Sequence, residues 1–291
     1  MKVAIIGAGN GWHTQQLQAA LAARGHACSS LPVAGMVAQI GTQPLLTSAG
    51  SSLDSVDLVL ARIIPRGSLE QTIFRMDSLH LLEKRGVQVV NSAKTIEQTV
   101  DKLYTSGLVA QAGLLTPRTI VCERSAQAIE AFAALGGDVV LKPVFGSMGL
   151  GMVRIQQEDV AYRVFKALEL ERAVYYLQEF IPHHGRDLRA FILGGRVLAA
   201  MERRSDGWRT NFARGAHCRA VRLTAEQEAI CLQAADIVGA EYAGVDLLPA
   251  VSGPDYLLEV NGIPGWKGLQ ETCELDIPAE IVAYLETRQP R

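Results

Sequence analysis

Two short apolar runs near the C-terminus, residues 244–248 and 257–261, carry acid or amide side chains in the middle of strand-forming sequence. Between them, Val251-Ser252-Gly253-Pro254-Asp255 has the glycine, proline and aspartate of a turn. The pattern predicts an antiparallel hairpin in which Ala250 opposes Asp255 and Asp246 opposes Glu259. Alternation of side chains puts Asn261 on the face of Glu259. Opposed residues hold their Cβ atoms about 5 Å apart, and two carboxylates that close repel unless a cation or proton lies between them. The face is therefore either a solvated surface that happens to carry acids or the wall of a cleft. Leu248 and Leu257, expected on the same face, favour the cleft. Oxygen-only ligands of this kind suit a hard ion such as Mg²⁺.

The chain has 291 residues and 48% hydrophobic content, too much for one small core, so two or three packed subdomains are expected. A net charge of −2 offers no basic footprint for nucleic acid. Cys28, Cys122, Cys218, Cys231 and Cys273 are scattered without CxxC spacing and read as buried thiols of a reducing cytosol, not a disulfide framework or zinc site. The apolar run at 3–6 is too short for a signal-peptide core, and no stretch reaches the roughly 18 residues of a membrane span. A soluble cytoplasmic protein with neither a membrane nor a nucleic-acid partner is expected.

Residues 2–6 read as a buried parallel strand, Gly7-Ala8-Gly9-Asn10-Gly11 as a turn, and residues 14–24 as a helix with Leu17, Ala20 and Leu21 inward and Gly25 as its cap. This opening invites a dinucleotide-binding reading, which fails twice. Trp12 stands where the third glycine of the fingerprint belongs, and no acid follows about 20 residues on. Further strands at 56–61 and 87–91, with a helix at about 68–85 between them, complete a small open α/β sheet ending near residue 95. Arg62 and Arg66 lie just past the C-terminal end of a strand, the edge where such sheets bind ligands. They are either a solubilising loop or a clamp for an anionic substrate.

The centre is more specific. A strand at 138–143 ends in Lys142-Pro143 and enters Val144-Phe145-Gly146-Ser147-Met148-Gly149-Leu150-Gly151, followed by Met152-Val153-Arg154-Ile155. Glycines this dense leave backbone N–H groups free to wrap an anion. A Walker A loop would end in Gly-Lys-Ser/Thr and start a helix. Here the lysine precedes the glycines and a strand follows, so the reading is a strand-loop-strand flap over a triphosphate or an ordinary glycine-rich hairpin. After a helix at about 158–171 comes a strand at 174–182, stopped by Pro182. Two more strands, 187–193 and 196–201, flank Gly194-Gly195, a two-residue hairpin signal. Asp187, Arg189, Arg203, Arg204 and Arg209 cluster at its ends, where guanidinium forks clamp charged oxygens or simply face solvent, the reading preferred for Arg204. His183 and His184 are expected at the surface without a role. No Ser-His-Asp or Cys-His order occurs at usable spacing.

In this order the pieces resemble the ATP-grasp superfamily, specifically the RimK-like carboxylate–amine ligases, over essentially the whole chain. The matching residues are Asp101-Lys102, Gly113-Leu114-Leu115-Thr116-Pro117, Lys142-Pro143 through Gly151, Gln178-Glu179-Phe180-Ile181, Gly185-Arg186-Asp187-Leu188-Arg189, Arg209-Thr210-Asn211, and Asp246 with Glu259-Val260-Asn261 and Pro264-Gly265. The resemblance implies an ATP-grasp fold, α/β with an α+β C-terminal part, behind a small open parallel pre-ATP-grasp domain. The expected divisions are 1–95, 96–177 with the flap, and 178–291 with the metal site. It further implies that Lys102 and Lys142 bind ATP phosphates with Gly146, Ser147 and Gly149. Gln178, Glu179, Phe180 and Ile181 would meet adenine, Asp187 the ribose, and Arg209 and Asn211 the nucleotide. Asp246, Glu259 and Asn261 would hold Mg²⁺, with Mn²⁺ as a substitute, and Arg203 would lie near the reacting carboxylate with Lys142. Ligases for D-alanine carry an arginine two positions before the metal aspartate; here Gly244 stands there.

The implied reaction forms an acyl phosphate from a carboxylate and ATP, then an amide. It needs charge neutralisation and a closing flap but no protein nucleophile. The stretch from Glu259 to Gln270, with Phe145-Gly146-Ser147-Met148-Gly149, looks most like members associated with tetrahydromethanopterin-type coenzyme synthesis. That implies an α-L-glutamate ligase acting on a pterin-type C1 carrier, a small-molecule carboxylate acceptor, and a homo-oligomer. The alternatives are glutamylation of a ribosomal protein tail, ligation to an amino-group carrier protein and, outside the class, a non-catalytic ATP-binding module or a dinucleotide-binding oxidoreductase.

Overall fold

The computed structural model describes residues 1–7, 9, 11–65, 67–146 and 149–288. The first strand forms as its apolar run predicts: β1 (Lys2–Gly7) buries Val3, Ala4, Ile5 and Ile6. The helix after it, α1 (Trp12–Ala23), begins two residues earlier than expected and buries Leu17 and Leu21. Gly25 follows it with φ +75°, a conformation glycine adopts at little cost. β2 (Ala27–Pro32) then lies parallel to β1. A small antiparallel sheet of β3 (Met36–Ala38), β4 (Leu46–Ser48) and β5 (Ser51–Ser52) interrupts the α/β alternation, a feature the sequence does not flag. β6 (Leu58–Ala61), α2 (Leu69–Lys84) and β7 (Gln88–Val90) complete a parallel sheet in the order β2-β1-β6-β7. Ser68 and Gln71 form a reciprocal capping box that fixes the start of α2. α3 (Ala93–Val100) leads out of this unit.

A second, antiparallel sheet follows. It contains β8 (Thr119–Cys122), β9 (Val139–Lys142), β10 (Val153–Ile155) and β11 (Tyr175–Glu179), ordered β10-β9-β11-β8. α4 (Lys102–Gln111) precedes it; α5 (Ser125–Ala134) and α6 (Glu158–Leu170) cover one face. Period-two alternation sorts its side chains. Val139, Leu141, Tyr175 and Leu177 pack on the helices, while Val140, Lys142, Tyr176 and Gln178 point the other way, into a cleft. β9 and β10 pair antiparallel, so the glycine-rich segment is a strand-loop-strand connection as expected. β11 pairs only within this sheet, so the expected domain boundary after residue 177 falls inside a strand.

The third sheet is ordered β14-β13-β12-β15-β16 and is wholly antiparallel. Its strands are β12 (Arg186–Leu193), β13 (Arg196–Arg204), β14 (His217–Ala220), β15 (Tyr242–Pro249) and β16 (Asp255–Asn261). Gly194 and Gly195, at φ +56° and +75°, make the predicted tight turn between β12 and β13. Leu188, Ala190, Ile192, Val245, Leu247 and Leu257 face α7 (Ala225–Ile237) in one core. Asp187, Arg189, Arg203 and Asp246 are on the opposite face. Beyond them on that face, Phe191, Met201 and Tyr242 join Val3 and Ile5 of β1, together with α9 (Ile277–Thr287), in a core shared by the two ends of the chain. A short α8 (Lys267–Gln270) lies between β16 and α9.

The expected C-terminal hairpin forms with one change. Asp246 opposes Glu259 and Gly244 opposes Asn261, but the register shifts beyond Asp246, so that Leu247 faces Leu257 and Pro249, not Ala250, faces Asp255. This is a β-bulge, which puts one extra residue on one strand and turns its neighbours over. Leu257 therefore enters the core instead of the acid face, and Leu258 takes its expected place on the cleft wall beside Leu248. Two further expectations change. Of the five free cysteines only Cys231 is fully buried. His183 is buried too, at 5% exposure, because its ring packs on Phe180, with centroids 5.6 Å apart. Among the described residues no helix is long and apolar enough to cross a membrane.

Candidate active site

The two antiparallel sheets turn their polar faces to one cleft of about 1070 Å³, counted with its open mouth. Lys142, the last residue of β9, points into it at 7% exposure and donates from Nζ to Gln178 Oε1. Gln178 in turn donates to Thr119 Oγ1 at 3.0 Å. Its amide thus orients the lysine at the edge of the cleft it lines. Burial, partly offset by Glu259 and reinforced by Lys102, pushes the Lys142 ammonium down to about 8. Lys102 opens α4, donates to the Gly146 carbonyl at 2.5 Å and stands 3.9 Å from Glu259. It thereby fastens the glycine flap to the floor of the cleft. Gly146 and Gly149 line the cleft at φ +152° and +66°; Ser147, like Arg66, lies outside the described residues.

At the opposite end, the backbone N–H groups of Glu179 and Phe180 are taken by Arg118 O and Asp138 O. The Glu179 carboxylate turns to Arg118. Phe180 and Ile181 line the wall with Leu248 and Leu258. Phe180 carries the Arg154 guanidinium 3.4 Å above its ring centre and Trp208 edge-on at 6.4 Å. Arg209 stacks on Trp208 at 4.5 Å and donates to the Met152 carbonyl, so it ties the end of the flap, just before β10, to the segment between β13 and β14. Asn211 lies beside it on the wall.

The floor is a chain of alternating charges. Arg203 forks onto Asp187 at 2.7 and 2.6 Å and reaches Asp246 Oδ2 at 3.0 Å. Asp187 also accepts from Thr210 Oγ1 at 2.6 Å. Arg189 forks onto Asp246 at 2.6 and 2.7 Å. Burial works against the charge on Arg203, but Asp246 and Asp187 outweigh it and hold the guanidinium above its usual value. Burial likewise lifts Asp246, and Arg189 and Arg203 outweigh it, so this carboxyl sits below the ordinary range. Burial pushes Asp187 upward against Arg203; the two short fork bonds are those of an ionised pair, and that is the state we assign.

Arg189, expected as one of several arginines that clamp charged oxygens or face solvent, is instead bound to Asp246. The available signal was its spacing: two residues after Asp187, it shares a strand face with that acid and lies opposite Asp246. Arg62, weighed as an anion clamp, is instead tied to the Tyr242 hydroxyl at 3.3 Å and the Pro264 carbonyl at 2.8 Å, stacked on Trp266. Arg204 is exposed and pairs with Glu202, the solvent-facing place expected for it.

A divalent ion fits the hairpin face. Asp246 and Glu259 oppose one another, and Glu259 has a lone distant cation, Lys102, among its described ion pairs. Three of the roughly four acceptor positions on Asp246 are taken by guanidinium donors, leaving one. Asn261, opposite Gly244 on the same face, would offer its Oδ1; its Nδ2, buried without a partner, is a donor and does not ligate a cation. The available ligand atoms are all oxygens, carboxylate or amide, as a hard cation prefers.

Comparison with known proteins decides the family. Residues 99–285 match the RimK-like ATP-grasp domain, and residues 1–96 match the RimK PreATP-grasp domain. The chain belongs to the RimK-like ATP-grasp family. It is 31% identical over 263 residues to the tetrahydromethanopterin:alpha-L-glutamate ligase of Methanosarcina acetivorans, covering 80% of this chain and 81% of that one. It is 32% identical over 292 residues to the probable alpha-L-glutamate ligase 2 of Shewanella frigidimarina, covering 98% and 96%. The ATP-grasp ligase PsnB, complexed with minimal precursor, Mg and ADP, superposes with a TM-score of 0.73 at 20% identity, over 98% of this chain and 97% of that one. The protein is thus an ATP-grasp ligase of the α-L-glutamate ligase family, and its fold implies ATP and Mg²⁺. The glycine-turn opening of β1 belongs to the pre-ATP-grasp domain, not to a dinucleotide site.

Proposed function

We propose that this ligase joins L-glutamate to a carboxylate of a pterin-type C1-carrier coenzyme through an acyl phosphate. The observation that carries the ligase chemistry is the facing of Asp246 and Glu259 below Lys142 and Lys102 in one cleft. The pterin acceptor is supported by the name of the Methanosarcina relative. Phe180, Ile181, Leu248 and Leu258 supply the apolar walls for a base. Lys102, Lys142, Gly146, Ser147 and Gly149 bind the phosphates; Asp187, Arg209 and Asn211 complete the nucleotide site.

Asp246, Glu259 and Asn261 would hold Mg²⁺, or Mn²⁺ in its place, and the metal would neutralise the phosphate oxygens as charge moves between them. Lys142 counters the negative charge gathered by two anions brought together, and Arg203 stands by the reacting carboxylate. Closure of the flap, hinged on its glycines, excludes the water that would hydrolyse an acyl phosphate. A three-part division, with the second boundary moved past the end of β11 at Glu179, and a homo-oligomeric assembly belong to the same proposal. A second reading, a peptide or protein tail as the acceptor, is favoured by the precursor peptide named with PsnB in another of its structures.

The test is ADP release by purified protein with ATP, Mg²⁺, L-glutamate and a tetrahydropterin-type C1 carrier, with the product mass read by mass spectrometry. Release that requires both glutamate and the carrier, and a product heavier by one glutamyl residue, is the expected result. Release with a carboxylate-ended peptide and not with the carrier selects the second reading; nicotinamide turnover without ATP use overturns both. Glu259→Gln should abolish turnover while leaving the melting curve near wild type.

A further inference from the structure

Thr119 stands outside the cleft, behind a residue that lines it. Thr119 of β8 and Gln178 of β11 are cross-strand partners; Gln178 lines the cleft and Thr119 does not. The Thr119 hydroxyl donates to the Pro117 carbonyl at 2.9 Å, and Gln178 Nε2 donates to Thr119 Oγ1 at 3.0 Å. A hydroxyl has one proton to give. Thr119 commits it to a carbonyl, which can only accept, so toward Gln178 it is an acceptor. The other Nε2 hydrogen has the Tyr176 hydroxyl at 3.5 Å, itself 2.8 Å from Ser106 Oγ. The amide nitrogen is thus turned away from Lys142, and the amide oxygen faces its ammonium.

That direction matters because of what Lys142 lacks. Among the described residues no carboxylate lies within ion-pair distance of its ammonium; Glu259, the acid it feels most strongly, pairs with Lys102 at 3.9 Å. Lys142 is 7% exposed, and Gln178 Oε1 is the one acceptor described for it. A buried ammonium without an acceptor is costly. A carboxylate in the same place would cancel the charge and compete with an incoming anion. A neutral amide oxygen does neither: it holds the ammonium and leaves its charge for a ligand. The same amide turned over would set Nε2 against the ammonium and Oε1 against an oxygen with no proton left to give.

We infer that Thr119 is a positioning residue for the lysine that meets the nucleotide phosphates: its committed hydroxyl fixes the Gln178 amide, and the amide holds Lys142 in the cleft without cancelling its charge. Thr119 touches no ligand and acts through Gln178. Among the described residues none of β8 lines the cleft, so the part of this strand in phosphate binding is carried by one hydroxyl. The purpose rests on the reading above that Lys142 binds ATP phosphates; the hydrogen-bond directions rest on the geometry alone.

The experiment measures by calorimetry the binding of Mg-ATP, and of adenosine as a probe without phosphates, to wild type and five variants. These are Thr119→Val, Thr119→Ser, Gln178→Glu, Lys142→Met and the double variant Thr119→Val with Lys142→Met. Thr119→Val removes the acceptor at nearly constant shape and should weaken Mg-ATP about tenfold, the scale of a disturbed hydrogen bond to a charged group, with adenosine within about twofold of wild type. Thr119→Ser keeps the hydroxyl and should hold Mg-ATP affinity within about twofold of wild type. In the Lys142→Met background the valine change should add less than about twofold, because its path to the phosphates is gone. Gln178→Glu sets a carboxylate on the ammonium and should weaken Mg-ATP about tenfold or more; it decides the matter if Thr119→Val does not fold. Wild-type Mg-ATP affinity in folded Thr119→Val or in Gln178→Glu, an equal loss for adenosine, or the full loss in the Lys142→Met background would make Thr119 a brace of the wall and overturn the inference. Unchanged affinity in Lys142→Met would remove Lys142 from the phosphate site, and this inference with it. ADP release that needs neither acid nor glutamate would remove the ligase reading and leave these affinities, and the place of Thr119, standing.

Discussion

Lys142 shows how much a single position carries. Its place at the end of a strand, before a run of glycines, was visible in the sequence. That it would be almost closed to solvent, with Gln178 bonded to its ammonium, was not, since Gln178 sits 36 residues away on another strand. Burial and its neighbours set the ammonium near 8, and the sign of the consequences follows. A lysine depressed below its ordinary 10.5 leaves the unfolded chain binding more protons between pH 8 and 10.5, so the empty protein gains stability as pH rises through that window. Phosphates brought against Lys142 raise it again. At pH 8, where about half of the free lysine is neutral, ATP binding should take up about half a proton, and affinity should weaken as pH rises further. Calorimetry in buffers of different ionisation enthalpy reads the uptake directly. Lys142→Met should lose it together with the pH dependence; an unchanged uptake in that variant would remove Lys142 from the phosphate site.

At the scale of elements, the β15–β16 hairpin was legible from its turn composition and its apolar runs, and the opposition of Asp246 and Glu259 holds. The bulge was hidden because Leu257 and Leu258 are adjacent leucines and either could face the core; side-chain period alone does not choose. The core chooses, since Leu247, Val245 and α7 leave room on one face for Leu257. Leu257→Ala should therefore cost about 2–5 kcal/mol in urea unfolding, with nucleotide affinity read separately on the folded fraction. Leu258→Ala should leave the unfolding midpoint close to wild type and weaken nucleotide binding. If the two variants exchanged these effects, the register given for the hairpin would be wrong.

Across the whole molecule, the parallel sheet and the β15–β16 hairpin are joined by Asn91. Its Nδ2 donates to Tyr242 O at 2.7 Å and Gly262 O at 2.6 Å, and its Oδ1 accepts from Glu241 N at 2.8 Å and Tyr242 N at 3.2 Å. These groups flank β15 and β16, so one amide after β7 holds the base of the hairpin that carries Asp246 and Glu259. Asn91→Ala leaves buried backbone donors and acceptors without partners, a loss of about 3 kcal/mol or more. Asn91→Asp keeps the acceptor but sets a buried carboxylate oxygen against the two carbonyls, and should cost at least as much as the alanine. Thermal unfolding of the three proteins checks this order; an alanine variant as stable as wild type would show that the two parts are held by their shared core alone.

Local chemistry was within reach of the sequence. Strand periods, turn residues and glycine density gave the element types, the strand-loop-strand flap and the facing carboxylates, because each depends on residues a few positions apart. The parts that depend on distant residues converging belong to the tertiary structure. It decided that Arg189 and Arg203 share Asp246, that Gln178 serves Lys142, and that Arg62 closes a corner instead of a substrate site. The physical reason is the same in each case. A charge or a polar group adopts whatever partner the packing brings within hydrogen-bond reach, and in this chain those partners lie on strands separated by tens of residues.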